Sequence, residues 1–135
     1  MSKSFEAVIF DLDGVITKTA LVHSLAWKKM FDGYLKGRAQ KEQKPFEEFT
    51  HNNDYLPYVD GKPRYKGVAS FLLSRGIKLD YGHVDDTLEK ETVCGLGNRK
   101  NQAFTDVLQK DGVQVYASTV KLIKQLLQKG IKVGV

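Results

Sequence analysis

Asp11 and Asp13 flank a single leucine in the run Phe10-Asp11-Leu12-Asp13-Gly14-Val15, a spacing that suits chemistry neither carboxylate can do alone. On an extended segment, residues two apart leave the chain by the same face, so both acids can point into one crevice. Transfer of a phosphoryl group to a carboxylate needs one oxygen aimed in line at phosphorus and a second group to move a proton. It also needs a cation such as Mg²⁺ to offset charge. Two carboxylates and a backbone carbonyl can meet these demands. Gly14 lets the chain turn away tightly afterwards. Taken alone, Asp-Leu-Asp-Gly also suits a plain surface turn. A calcium loop is excluded, because its fifth, sixth and twelfth positions would be Val15, Ile16 and Val22 instead of an oxygen ligand, Gly and Glu.

The elements around the acids favour the site over the turn. Phe5 to Phe10 is rich in β-formers and predicts a short strand buried on both faces, as in a parallel sheet. Ligands of such sheets bind beyond the carboxyl ends of the strands, where the acids fall. From Thr19 the pattern is helical, with Ala20, His23, Trp27, Met30, Phe31 and Tyr34 at three- and four-residue steps until Gly33 and Gly37 loosen it. Arg38 to Lys44 reads as a loop or helix end, Pro45 to Phe49 as a further helix start, and Asp60 to Arg64 as a turn-rich loop. Helices are predicted over Gly67–Arg75, Asp86–Val93 and Asn98–Lys110, the last burying Ala103, Phe104, Val107 and Leu108. Ser118 is placed to cap a helix with Val120, Ile123, Leu126 and Leu127 on one stripe, and Ile131–Val135 alternates like a strand.

A strand at one end, a helix and strand at the other, and helices between them describe an α/β core interrupted by a helical insert. The core segments, 5–16 and 113–135, fall well below the roughly 60 residues of a marginal domain, so this core needs more chain or a partner. Exposed strand edges invite self-association, which is expected of these residues in isolation.

The 135 residues are 41% hydrophobic and 27% charged, the balance of a folded chain. A net charge of +5 is spread along the sequence without a basic block, which suits phosphate-bearing small molecules and supplies no nucleic-acid signature. Cys94 has no partner for an internal disulfide. Met1-Ser2-Lys3-Ser4 opens no signal peptide, and no apolar run approaches the ~20 residues of a membrane helix, so the expected location is cytoplasmic and the expected partners include no membrane.

Phe10-Asp11-Leu12-Asp13-Gly14-Val15-Ile16-Thr17 resembles the first motif of the haloacid-dehalogenase superfamily, in particular its β-phosphoglucomutase-like branch with a helical cap inserted after that motif. Thr19, His23, Trp27 and Lys28 stand where that branch has the same residue types. Asn98-Arg99-Lys100-Asn101 is similar to its cap segment with a substrate-facing lysine, and Gly61 and Arg64 repeat its Gly-x-x-Arg spacing. The resemblance implies an incomplete Rossmann-like core, residues 1–16 and 113–135, and an α-helical cap domain, 17–112. It also implies Mg²⁺-dependent transfer through an aspartyl-phosphate on a small sugar phosphate, by a phosphatase or a phosphomutase. Asp11 would be phosphorylated, Asp13 would protonate the leaving group and deprotonate the acceptor, and Asp11 with the Asp13 carbonyl would bind Mg²⁺. Thr19, His23, Trp27, Gly61, Arg64 and Lys100 would bind substrate, Arg64 as a phosphate fork and His23 with Lys100 steering Asp13.

On spacing alone, His23 reads equally as a core residue, and Arg64 and Lys100 as solvated charges. The family's later motifs, a Ser or Thr, a Lys and an acid pair, are not among these residues, which leaves a non-catalytic, partner-dependent module as the alternative. Gly67 stands where the branch often has a phosphate-contacting Ser, and the Pro-Gly usual near Ala117-Ser118 is absent. Gly95-Leu96-Gly97-Asn98-Arg99-Lys100 begins like a dinucleotide fingerprint but follows no strand and has Lys at its sixth position. Tyr55, Tyr58, Tyr65 and Phe71 are assigned to the cap core, without the interleaved basic residues of a base-stacking surface.

Overall fold

A computed structural model describes residues 4–135; Met1, Ser2 and Lys3, the head of the expected core segment, lie outside the described residues. The chain begins with strand β1, Ala7–Ile9, and ends with β2, Lys132–Gly134, and the two pair in parallel with Val8 opposite Val133. Between them come α1 (Ala20–Glu42), a five-residue π-helical turn at His51–Tyr55, α2 (Leu56–Tyr58), α3 (Arg64–Ser74), α4 (Val93–Asp111) and α5 (Ala117–Gln128). A parallel pair whose crossover contains five helices agrees with a partial α/β core. None of the described helices is long and apolar enough to cross a membrane.

The main hydrophobic cluster lies among α1 to α4 and the segments joining them. Trp27, Met30, Phe31, Tyr34 and Leu35 of α1 meet Phe49, Val59, Val68, Phe71, Leu72, Val93 and Leu96. Phe31 is fully buried, with ring centroids of Trp27, Phe49 and Phe71 at 5.5, 5.0 and 4.2 Å. This packing explains why α1 runs straight through Gly33 and Gly37. Each glycine costs about 1 kcal/mol in a helix, whereas each buried large side chain contributes about 1.5–3. The helix stops at Gln43, whose left-handed φ of 53° lets Lys44 N–H reach back to Ala39 at 3.0 Å.

The strands correct the expectation of burial on both faces. β1 is only three residues long and Ile9 is 84% exposed, because nothing in the described residues covers that side of the pair. The stripe of α5 is also only half-covered: Val120, Ile123 and Leu126 are partly buried and Leu127 is exposed. Ser118 does not cap α5, since the helix starts one residue earlier and Tyr116 precedes it without a side-chain cap. No helix starts at Pro45. The segment stays extended until Thr50, whose hydroxyl accepts from Asn53 N–H and starts the π-helical turn instead.

Asp86–Val93 is a loop, not a helix. The Asp86 carboxylate accepts from the Thr92 hydroxyl at 2.7 Å and His83 N–H at 3.1 Å, which binds the segment to itself. Gly82, at φ +77°, bends the chain beside that carboxylate. Thr92 then caps α4 by accepting from Gly95 N–H at 2.9 Å, so the helix begins five residues ahead of Asn98. On α4, Ala103 is buried while Phe104, Val107 and Leu108 are only partly so. Tyr55, Tyr65 and Phe71 pack on the core as expected, but Tyr58 is exposed. Cys94 is buried.

Candidate active site

Immediately beyond β1 the chain winds into a compact loop. Leu12 O accepts from Ile16 and Thr17 N–H at 3.0 Å each, and Gly14 N–H donates to Thr17 O at 2.8 Å. Gly14 holds φ +78°, and a Cβ there would lie 3.2 Å from the Ala20 Cβ, so both dihedral and space call for glycine. The exit from this loop lies beside the return path from α4. Lys18 N–H donates to Gln114 O at 2.8 Å and Tyr116 N–H to Ile16 O at 2.9 Å.

Asp11 and Asp13 both line a cavity of about 440 Å³ with His23 and Trp27 of α1, Tyr55, Asp60, Gly61 and Lys62 of the following turns, Arg64 of α3 and Lys100 of α4. Every residue expected to act on, bind or coordinate the substrate or metal except Thr19 therefore lines this cavity, and Thr19 sits directly behind Asp13. Its hydroxyl donates to Asp13 Oδ1, and the Thr17 hydroxyl lies 2.7 Å away. Thr19 precedes α1 without capping it through its side chain, so a group that ordinarily serves the helix serves the carboxylate. Asp11 Oδ1 accepts from Leu12 N–H at 2.8 Å.

Asp13 Oδ2 faces His23 Nε2 at 3.6 Å, and His23 Nδ1 lies 2.9 Å from Lys100 Nζ. The lysine ammonium has only hydrogens to offer, so it donates to Nδ1 and leaves the ring proton on Nε2, toward Asp13. His23 is held below its ordinary range chiefly by burial and then by the Lys100 charge, with Asp13 pulling the other way. Its ring stacks on Phe104, centroids 4.1 Å apart. Lys100 is 7% exposed and lies 5.1 Å from the centroids of both Trp27 and Phe104. Burial above all, and then the Arg64 charge, bring its amine down to about 8, against the pull of Asp13. Tyr55 is pushed up by burial and by Asp60 and Asp13.

Some residues of the expected set point elsewhere. Lys28 bridges Asp32 and Glu48 at 3.0 and 3.2 Å and donates to Phe49 O at 2.7 Å, which pins α1 to the extended segment away from the cavity. Arg99 donates to Leu88 O and holds the 77–92 loop. Gly67 packs under Trp27, where a Cβ would come within 3.3 Å of the indole and of Val59. Gly95 and Gly97 sit in the first turn of α4 with no strand before them, so no dinucleotide loop is formed. Tyr55, Asp60, Lys62 and Phe104 were not foreseen from the sequence. Phe104 follows Lys100 by one helical turn and is visible from spacing, whereas Tyr55 and Asp60 depend on the π-helical turn.

A parallel strand pair, an acid pair at the end of the first strand and basic residues facing it from a helical layer are the parts of an α/β hydrolase site. Haloacid dehalogenase-like hydrolases match residues 5–135, and the chain belongs to that family. It is 44% identical, over all 135 residues, to proteins named beta-phosphoglucomutase in Mycobacterium tuberculosis and Mycobacterium bovis, covering 52% of each. The protein of that name in Bacillus subtilis is 31% identical over 129 residues, 96% of this chain and 49% of its own length. The chain thus spans about half the length of these curated relatives.

Proposed function

We propose that the chain carries the nucleophile and the substrate grip of a phosphoryl-transfer enzyme that works through an aspartyl-phosphate on a small sugar phosphate. In this reading residues 17–112 act as a cap over a core formed by 1–16 and 113–135. The observation that carries it is the chain of contacts from Asp13 through His23 to Lys100, with Asp11 and Arg64 on the same cavity.

Asp11 attacks phosphorus with the oxygen that Leu12 N–H leaves free, and the sugar–oxygen bond to phosphorus breaks. Asp13, protonated, gives its proton to the departing oxygen. A water or a sugar hydroxyl then attacks the phosphoaspartate while Asp13 takes back a proton, which completes either hydrolysis or transfer. His23 and Thr19 fix the orientation of Asp13, and Arg64 grips a phosphate remote from Asp11. Asp11 and the Asp13 carbonyl are hard oxygen donors suited to Mg²⁺, which keeps several waters and needs few protein ligands. Both Asp13 side-chain oxygens are engaged by Thr19 and His23, so its carbonyl is the better donor. When bound, the ion supplies positive charge against the transferring phosphoryl group.

Incubation with β-glucose 1-phosphate and a panel of sugar phosphates tests this reading: glucose 6-phosphate marks a mutase and free phosphate a phosphatase. No turnover of any phosphate ester would refute both.

Lys100 gives the reaction a pH signature. Below about 8 its ammonium, a donor only, fixes the His23 tautomer, and above that the neutral amine has a lone pair and no longer dictates which ring nitrogen carries the proton. Turnover is expected to fall as pH rises through this value. Stability runs the other way. The folded state releases the proton near 8 while the unfolded chain holds it to 10.5, so the unfolded state binds more protons in between and stability rises with pH across that window. Rate profiles and urea unfolding at matched pH check the opposed signs; a rate that stays flat through pH 8 and 9 would contradict the role of Lys100.

A further inference from the structure

Arg64 is aimed by a chain of hydrogen bonds that the proposed chemistry does not by itself require. The starting point is the buried Nε of Arg64, which meets no acceptor among the described residues although the side chain lines the cavity. A buried donor on a cationic group is costly to leave unmade, so the guanidinium is left short of an acceptor. Nη2, on the same side of the guanidinium as the Nε hydrogen, is engaged: it donates to the Tyr65 hydroxyl at 3.2 Å, and the guanidinium carbon lies 4.9 Å from the centroid of that ring.

Asn98 sets the polarity of Tyr65. Its amide nitrogen donates to Val84 O and Asp86 O, both at 3.0 Å, so Oδ1 must face the tyrosine. The Tyr65 hydroxyl spends its proton on Oδ1 at 2.8 Å and keeps only lone pairs for Arg64. Gly97 allows the ring to lie flat against α4, since a Cβ there would come within 2.6 Å of Tyr65 Cδ1 and 3.3 Å of Arg64 Cγ. Donation thus runs one way, from Arg64 to Tyr65 to Asn98 to the carbonyls of the 77–92 loop, and the loop end sets its direction. We propose that Tyr65 and Asn98 are positioning residues that hold the Arg64 guanidinium through Nη2 so that its remaining donors serve the substrate phosphate remote from Asp11. This rests on the reading of Arg64 as the phosphate grip.

Trp27 is the single tryptophan and lines the same cavity, so its fluorescence reports binding without turnover. In an Asp11→Asn background, β-glucose 1-phosphate is titrated into the intact chain. Arg64→Ala is expected to weaken binding about thirtyfold and Tyr65→Phe about tenfold, as for hydrogen bonds involving a charged group. Asn98→Ala, which frees the tyrosine hydroxyl but leaves the tyrosine in place, is expected to weaken it about threefold and serves if Tyr65→Phe does not fold. Added to Arg64→Ala, either substitution should change nothing further, because the group it aims is gone. Unchanged affinity in Tyr65→Phe and Asn98→Ala, or equal weakening with and without Arg64, would overturn the aiming role and leave the phosphate grip standing. An Arg64→Ala variant that binds like its parent would bring down the grip, and the aiming role with it.

Discussion

Asp11→Asn is expected to lower sugar-phosphate turnover by about a thousandfold or more while leaving the fold unchanged, an effect on the scale of deleting a covalent nucleophile. The amide keeps an oxygen to accept the Leu12 N–H bond and adds no bulk, and the side chain is exposed, so nothing structural is withdrawn. What is lost, on the proposed reading, is the anionic oxygen that attacks phosphorus. Denaturation curves that superimpose on those of the parent protein would assign the loss to chemistry. Acid-quenched protein provides an independent measurement: the parent should retain phosphate on an acyl linkage and the variant none. Turnover within tenfold of the parent would mean that Asp11 is not the nucleophile.

The largest effect on stability is expected at Phe31, far from any chemistry. Its ring meets Trp27, Phe49 and Phe71 and is fully buried, so truncation to alanine removes a whole side chain from the centre of the helical layer. A loss of about 3–5 kcal/mol is expected, a third or more of what a domain of this size usually commands. Ile9→Ala supplies the contrast: at 84% exposure it gives up almost no buried area and should stay within about 0.5 kcal/mol. Urea midpoints compare the two directly. A Phe31→Ala midpoint close to that of Ile9→Ala would place the core elsewhere.

These two residues also show what could be read from the sequence. Phe31 belongs to a helical stripe whose spacing announces a buried face, and Asp11 follows a run of β-formers into a glycine turn; both signals are local. The segment 86–93 misleads because its charged residues suit a helix. The competing bond from Thr92 to Asp86 depends on a bend at Gly82 that composition does not announce. Strand burial was misread for a different reason. Apolar composition marks a surface as coverable, but whether a layer covers it depends on neighbours that a three-residue strand cannot specify. Within the cavity, the acids, His23, Arg64 and Lys100 could be chosen by residue type and resemblance. Tyr55 and Asp60 reach it through the turn after Thr50, and the direction of the Asn98–Tyr65–Arg64 bonds needs three separate segments to be in place.

The loop leaving Asp13 and the return from α4 touch through two backbone hydrogen bonds, Lys18 to Gln114 and Tyr116 to Ile16. Among the described residues the helical layer is thus a cassette whose two ends lie side by side and could be spliced together without stretching the chain. A paired ribbon of this kind resists sliding more than bending, so a tilt of the cassette would pivot there. Such a tilt would carry His23 and Lys100 away from Asp13 and leave Asp11 with its Leu12 amide. Of the two carboxylates, Asp13 is the one whose ion-pair partner, His23, rides on the cassette.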